Sequence, residues 1–414
     1  MSDKNKTSSD SFLTLCKTCD YIVNIPNQGV KHTCPVCSSN LKSRSLLDFK
    51  QLGFFALSAL IILIISIFQP FISVSSLGIT HTIELISMVF ILKTDWSLLL
   101  YFLFLFTFML PVIMLLIQVA IGLFNVKPNI FIANIYTISH AFCMVDVFIL
   151  AVLVSLIKLT SLSTVDFHSG FILALIFSIM LVLCWAKCHP YKVWDLISQS
   201  SIQSEHKGLR GIDVSLILCR HCHNCFYNSD TDNAQCPRCG TDAAIREKHY
   251  FQRVMALLLA SIILYLPSNL YPIMFTDYLG NNTGSNIIEG VISLWNMNSQ
   301  FVAIIILVAS IFIPIFKILS MAFLLYVIRF RTVKRPIHAT RLYKIVCFIG
   351  KWSMIDVFVV IIMTSVVRFT GVMVINPGFA VISFCLVVII TMFAAESFDQ
   401  RLIWDNNING SKKS

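Results

Sequence analysis

The sequence predicts an all-α polytopic membrane protein: two repeated four-helix transmembrane modules, each preceded by a small four-cysteine ribbon. Three observations carry this expectation. The 414 residues are 57% hydrophobic and 13% charged, with mean hydropathy +0.80, against about 25% charged residues in soluble chains. Eight apolar runs approach the roughly 20 residues that cross a hydrocarbon core about 30 Å thick. The chain also states one plan twice, a CxxC pair, a second CxxC pair and then four apolar runs. A period of about 200 residues means two domains rather than a solenoid.

The halves align over long stretches. Leu15-Cys16-Lys17-Thr18-Cys19 matches Leu218-Cys219-Arg220-His221-Cys222 at an offset of 203, and Cys34 and Cys37 match Cys236 and Cys239 at 202. Gln69-Pro70 meets Tyr271-Pro272, and Pro111 meets Pro314. The offset then steps to 210, where Met144-Val145-Asp146-Val147-Phe148 falls on Met354-Ile355-Asp356-Val357-Phe358, and Trp194-Asp195 on Trp404-Asp405. The expected organisation is an N-terminal ribbon (1–45), a first module (46–200), a second ribbon (201–248), a second module (249–405) and a polar tail (406–414).

The apolar runs lie near 52–72, 97–124, 139–161, 169–186, 254–275, 300–328, 345–367 and 377–397, and predict eight spanning helices. No cleavable signal peptide is expected, since the first 50 residues are polar and lack a short apolar core. Lys and Arg gather before the first run (Lys42, Arg44, Lys50), in the middle segment and after the sixth run (Arg329, Arg331, Lys334, Arg335). The segment 276–299 has none, and 73–96 has Lys93 alone. The positive-inside rule then puts both termini and both cysteine clusters in the cytoplasm. The net charge of +10 is read as this topology signal, with contact to anionic lipid headgroups and not to nucleic acid.

Fourteen cysteines, most of them in a reducing compartment on this topology, argue for metal rather than disulfides. Cys16-x2-Cys19-x14-Cys34-x2-Cys37 suits a closed tetrahedral four-thiolate zinc site of structural type. In the second cluster Cys219, Cys222 and Cys225 all precede Cys236 and Cys239. The repeat register selects Cys219, Cys222, Cys236 and Cys239 as ligands, puts Cys225 in an apolar position and leaves His223 a bystander. Iron in a rubredoxin-like electron-transfer site would use the same residue types. Cys143, Cys184, Cys188, Cys347 and Cys385 lie in or at the apolar runs and read as small packing residues.

Ionisable residues at bilayer depth are functional candidates. Asp146 and Asp356 are repeat equivalents, whereas Lys317, three residues after Pro314, faces Met114 in the repeat. Ser310, Ser353 and Thr391 could share a seam with the Lys317–Asp356 pair. Two readings of that pair stand: a proton path and a static ion pair. Pro111 and Pro314 each free a backbone carbonyl and permit a kink. In the loops beyond the first and fifth runs, Glu84-Leu85-Ile86-Ser87 and Glu289-Gly290-Val291-Ile292-Ser293, with the β-prone string Phe71-Ile72-Ser73-Val74, suggest ordered structure.

The strings Tyr265-Leu266-Pro267-Ser268-Asn269-Leu270-Tyr271-Pro272, Ala309-Ser310-Ile311-Phe312-Ile313-Pro314-Ile315-Phe316-Lys317 and Gly350-Lys351-Trp352-Ser353-Met354-Ile355-Asp356-Val357-Phe358 carry a resemblance. With Asp399-Gln400-Arg401-Leu402-Ile403-Trp404-Asp405 and the duplicated cysteine clusters, the chain resembles the paraquat-inducible protein A family, nearest its LetA branch. That resemblance implies a multi-pass protein of the bacterial inner membrane. It also implies a periplasmic partner with MCE domains that form a hydrophobic tunnel, phospholipid as cargo and two structural zinc ions. The family's polar network maps onto Ser310, Lys317, Ser353, Asp356 and Thr391, with Asp146 as the first-module counterpart, and implies proton-driven loading of the tunnel. No MCE domain lies in this chain, so the tunnel would come from another protein.

The chain has no Walker A string, Gly-rich phosphate loop or nucleophile elbow, so a subunit that makes and breaks no covalent bond is the leading expectation. Its competitors are a redox-responsive protein cycling its CxxC thiols and a passive membrane anchor for a partner.

Overall fold

The computed structural model describes residues 11–26, 32–41, 49–76, 79–84, 101, 104–160, 164–198, 208–227, 234–246, 249–278, 281–296, 300–330, 335–366, 368–369 and 373–405. The first ribbon pairs β1 (Ser11–Leu15) with β2 (Ile22–Pro26), and a Thr33–Asn40 bridge closes its second half. Helix α1 (Phe49–Phe68) leads into the strands β3 (Pro70–Ser76) and β4 (Ile79–Glu84). A π-helical turn, Leu105–Met109, opens α2 (Leu110–Gly122), followed by α3 (Ile130–Ala141), α4 (Val145–Thr160), β5 (Thr164–Phe167), α5 (Ser169–Lys187) and the short α6 (Pro190–Asp195).

The second half repeats the plan. Strands β6 (Leu216–Leu218), β7 (Cys225–Tyr227), β8 (Ala234–Gln235) and β9 (Asp242–Ala243) build its ribbon. Helix α7 (Tyr250–Leu270), strands β10 (Met274–Tyr278) and β11 (Asn281–Ser285), then α8 (Ile287–Asn296) and α9 (Gln300–Leu307) precede a second π turn, Val308–Phe312. After it come α10 (Ile313–Arg329), α11 (Pro336–Trp352), α12 (Ile355–Val366), β12 (Arg368–Phe369), β13 (Met373–Pro377), α13 (Phe379–Ser397) and α14 (Leu402–Asp405).

Seven helical segments among the described residues are long and apolar enough to cross a membrane. The third apolar run of each half is broken, but only the break in the second half lowers the expected count of eight, because Ile130–Leu156 still runs as one apolar span across α3 and α4. The run predicted at 139–161 is split between α3 and α4, and that at 345–367 between α11 and α12, which have 17 and 12 residues. Hydropathy sums composition and does not register a break that replaces one apolar residue with another. A start signal was nonetheless present: Asp146 lies in the first turn of α4, where a carboxylate meets the positive end of the helix dipole. Asp356 holds the same place in α12, second from its start.

Both prolines lie two residues past the end of a π turn. Proline lacks the N–H that would bond the carbonyl four residues back, which belongs to Thr107 for Pro111 and to Ser310 for Pro314. The π turns shift the register instead, with Leu110 N–H on the Leu105 carbonyl and Ile313 N–H on that of Val308. In the first module α1 packs on both α2 and α5. A Cβ on Gly122 would lie 2.2 Å from the Phe49 carbonyl oxygen, so glycine there lets the two helix backbones touch. In the second module α7 packs chiefly on α13, and the modules meet along α4 and α12.

At the end of the bundle away from the ribbons lie two antiparallel sheets, ordered β4-β3-β5 and β11-β10-β13-β12. The Phe71–Val74 string is the middle of β3, paired on both sides. Leu85, Ile86 and Ser87 lie outside the described residues, as do the tail 406–414 and most of the stretch before the first π turn.

Candidate functional site

Each CxxC knuckle is closed by the same backbone bonds. The N–H of Cys16 donates to Tyr21, and that of Asp20 returns to Cys16; Cys34 with Ser39 and Ser38, Cys219 with Asn224 and His223, and Cys236 with Thr241 and Gly240 repeat the pattern. The fourth residue after each leading cysteine is left-handed: Asp20 (φ 62°), Ser38 (54°), His223 (57°) and Gly240 (72°). His223 therefore shapes a turn. Within each set the four sulfurs lie within 4.8 Å of one another. The closest approaches are 3.5 Å for Cys16–Cys37 and for Cys19–Cys34, 3.6 Å for Cys219–Cys239 and 3.4 Å for Cys222–Cys236. A tetrahedral ion with metal–sulfur bonds of about 2.3 Å would hold its sulfurs about 3.8 Å apart. Both clusters, Cys16, Cys19, Cys34, Cys37 and Cys219, Cys222, Cys236, Cys239, could thus hold a metal ion.

Crowding splits the thiols. Hydrogen bonds from Cys16 and Cys19 hold Cys34 down at about 6 and keep Cys37 below the thiol range, while hydrogen bonding to Cys16 pushes Cys19 up. A metal ion would displace the retained protons. Cys225 sits in β7, in an apolar cluster with Leu15, Ile22, Leu216 and Leu218 that joins the two ribbons. Main-chain bonds reinforce the joint, Ile22 N–H to the Leu209 carbonyl and Gly211 N–H to that of Asp20.

The ribbons dock crosswise. The first sits on the second module: Trp404 packs against its cysteine cluster, and Lys344 donates to Ser39 at 2.8 Å. The second sits on the first module: His221 bonds Asn134 at 2.7 Å, and Trp194 lies edge-on to His221. The closing Trp-Asp of each half is the docking plate. Arg238, with a fully buried side chain, bonds Asp195 at 3.2 Å and also reaches the Ser198 carbonyl. Val36 takes that place in the first ribbon, and Asp405 is held instead by Arg210 and by Arg246 at 2.6 Å. Arg246 also reaches Asp20 at 2.8 Å. Burial raises the Asp20 carboxyl, with Arg246 pulling the other way. The repeated Trp-Asp marked these plates in the sequence, but nothing local said that Trp194 and Asp195 receive the second ribbon and Trp404 the first, with Asp405 held by arginines of the second.

The seam residues divide. Ser310 is buried in the second π turn, and Lys317, 1% exposed, lies two turns further along α10. The Lys317 Nζ has no hydrogen-bond partner among the described residues, and neither has the Ser353 Oγ at the α11–α12 break. Thr391, buried on α13, donates to its own helix at the Val388 carbonyl, 2.9 Å away. Helix α10 packs against α7, α11 and α13, so these four residues belong to one bundle. The Asp356 side chain lies outside the described residues. Asp146 is exposed on α4 in the other module and is not part of this buried group. Cys143, Cys184, Cys188 and Cys385 are buried, whereas Cys347 is exposed on α11. A mostly apolar cavity of about 40 Å³, bounded by Ile273, Ile287 and Val360, reaches Ser310 from the sheet end.

The profile of the family described as Paraquat-inducible protein A matches residues 49–198 and 251–407. The chain belongs to that family. The Intermembrane transport protein PqiA of Escherichia coli K12 is 34% identical over 399 residues, covering 94% of this chain and 95% of that protein. The Lipophilic envelope-spanning tunnel protein A of the same organism is 35% identical over 201 residues, 49% of this chain and 46% of that protein. No solved structure matches. With its apolar helices, the chain is a multi-pass membrane protein of a family whose relatives are named for transport.

Proposed function

We propose that this protein is an inner-membrane subunit of an intermembrane phospholipid transport system, loading or extracting lipid for a periplasmic tunnel partner built from MCE domains. Both termini and both ribbons lie in the cytoplasm, the two sheets face the periplasm, and the sheet end is the docking and lipid-exit surface. The eight cysteines hold two structural zinc ions, and the ribbons brace the bundle rather than carry electrons. The observation that carries the reading is the buried Lys317, unpartnered among the described residues, beside a π turn in the second module. Lipid-facing charge at such depth is expensive, and π turns are frequent at functional sites.

The names of the relatives matched over the whole chain and over about half of it support the cargo and the partner. Lys317 and Asp356 would form and break their pair as a proton passes, with Ser310, Ser353 and Thr391 lining the route. Moving one charge across the membrane supplies about 2.3 kcal/mol per 100 mV. Asp146 lies apart as the first-module counterpart. The test is transfer of labelled phospholipid between inner and outer membranes of cells carrying Lys317→Met or Asp356→Asn. Loss of transfer with normal insertion and zinc content is expected; unimpaired transfer in both variants would reduce the protein to an anchor.

A further inference from the structure

A cleft of about 600 Å³ opens at the ribbon end, where both ribbons and both modules converge. Its volume lies in the range of ligand sites, about 300–1,000 Å³. The first ribbon contributes Lys17, the second Arg220, His221 and His223, and the second module Arg253 and Arg401. Two carboxylates line it, Glu396 and Asp399. Asp399 is already engaged, by Arg401 at 2.8 Å and Arg220 at 3.2 Å. Four Lys or Arg side chains against two carboxylates leave the cleft positive. Lys17 is fixed at its edge by a 3.0 Å bond between Nζ and the His223 Nε2.

The opposite wall is apolar and belongs to the membrane helices. Phe393, 43% exposed near the end of α13, meets Phe142 at the α3–α4 break with 6.3 Å between ring centroids. A ligand seated here would touch guanidinium and ammonium groups on one side and aromatic rings at the level of the membrane boundary on the other. Arg and Lys recognise phosphate oxygens through charge-assisted hydrogen bonds, and basic pockets at the cytoplasmic face of helix bundles suit lipid headgroups.

We propose that this cleft binds a phosphate-bearing anion, either the headgroup of a phospholipid from the ribbon-side leaflet or free phosphate, and that the bound group ties the ribbons to both modules. The proposal does not depend on the transport reading, because the cleft and the seam around Lys317 are built from different residues. The test is native mass spectrometry of the delipidated full-length protein with dioleoylphosphatidylglycerol, dioleoylglycerol or inorganic phosphate added. Phosphatidylglycerol should be retained at least about fivefold better than dioleoylglycerol, which lacks the phosphate.

Lys17→Gln/Arg253→Gln should abolish that preference, while Lys50→Gln/Lys127→Gln, an equal change of charge elsewhere, should preserve it. Lys17→Gln alone, at an exposed position, should weaken it and serves if the double variant does not fold. Displacement of the lipid by millimolar phosphate would assign the site to the free anion, and its absence to the headgroup. Equal retention of both lipids with no phosphate bound, or variants that behave as wild type, would overturn the proposal.

Discussion

Phe148 and Phe358, the last residues of the duplicated Met-[Val/Ile]-Asp-Val-Phe string, meet edge-on across the boundary between modules, with 6.3 Å between ring centroids and 78° between planes. Both are buried. The same residue from each half thus supplies both sides of one contact, the self-complementary arrangement of a two-fold interface inside a single chain. Removing either ring should cost about 3–5 kcal/mol, and the double variant should cost less than the sum because the rings share a contact. Thermal unfolding of Phe148→Ala, Phe358→Ala and the pair measures this; strict additivity would mean that the rings do not support one another.

Metal analysis of the purified protein should find close to two zinc ions per chain. Cys236→Ser should lower this to about one, since a site with three thiolates and no fourth ligand binds weakly. Cys225→Ala should keep both ions, because that sulfur lies in the apolar joint between ribbons. Retention of both ions by Cys236→Ser, or loss of one by Cys225→Ala, would reassign the ligands.

Arg238 links the second ribbon to the first module through a fully buried guanidinium on a carboxylate that is one-quarter exposed. Arg238→Ala leaves Asp195 without that charge and should destabilise the docked ribbon by about 3 kcal/mol. Hydrogen exchange should then quicken across β6–β9 while α1 and α5 stay protected. Uniform exchange throughout the chain would show that the ribbon and bundle unfold together.

Asp399 sets a dependence on acid. Burial works to raise its carboxyl, but hydrogen bonds and charge from Arg401, with Arg220 behind them, outweigh it and hold it below the ordinary value. A depressed carboxyl contributes stability that is fully present above its unfolded value of about 3.9 and is lost as pH falls through the folded one. Asp399→Asn should therefore melt earlier than wild type at neutral pH, by an amount reflecting about 3 kcal/mol. The two melting curves should converge as pH falls through the depressed folded value. Comparing them cancels Asp20, whose raised carboxyl titrates in both. A gap that persists unchanged into acid would remove Asp399 as its source.

Much of this arrangement was legible in the residues. Cysteine spacing predicted both thiolate clusters, and the repeat register separated Cys225 from them, because knuckle geometry is local. The β-prone Phe71–Val74 string announced the sheet that the structure places there. The break at 142–144 was hidden, since phenylalanine, cysteine and methionine are as apolar at a helix end as in its middle, and at 353–354 a single serine before Met354 does little to a long apolar run. Asp146 looked like a buried partner on hydropathy alone, and its helix-start role emerges only once the break is seen. Crosswise docking was hidden for another reason: Arg238 and Asp195 are neighbours through folding, and no periodicity encodes which half a ribbon will face.

The crossed seating of the ribbons also orders events during synthesis. Cys16 to Cys37 leave the ribosome long before Trp404, which packs against their cluster. Until then the first ribbon can join only the second ribbon and Lys344, whereas the second ribbon finds Trp194 and Asp195 already in place when it emerges. A chain stopped short of residue 400 would keep every thiolate of both clusters and still lack the indole that packs against the first of them. The contact that seats the first ribbon on the second module is thereby made late, after both halves exist.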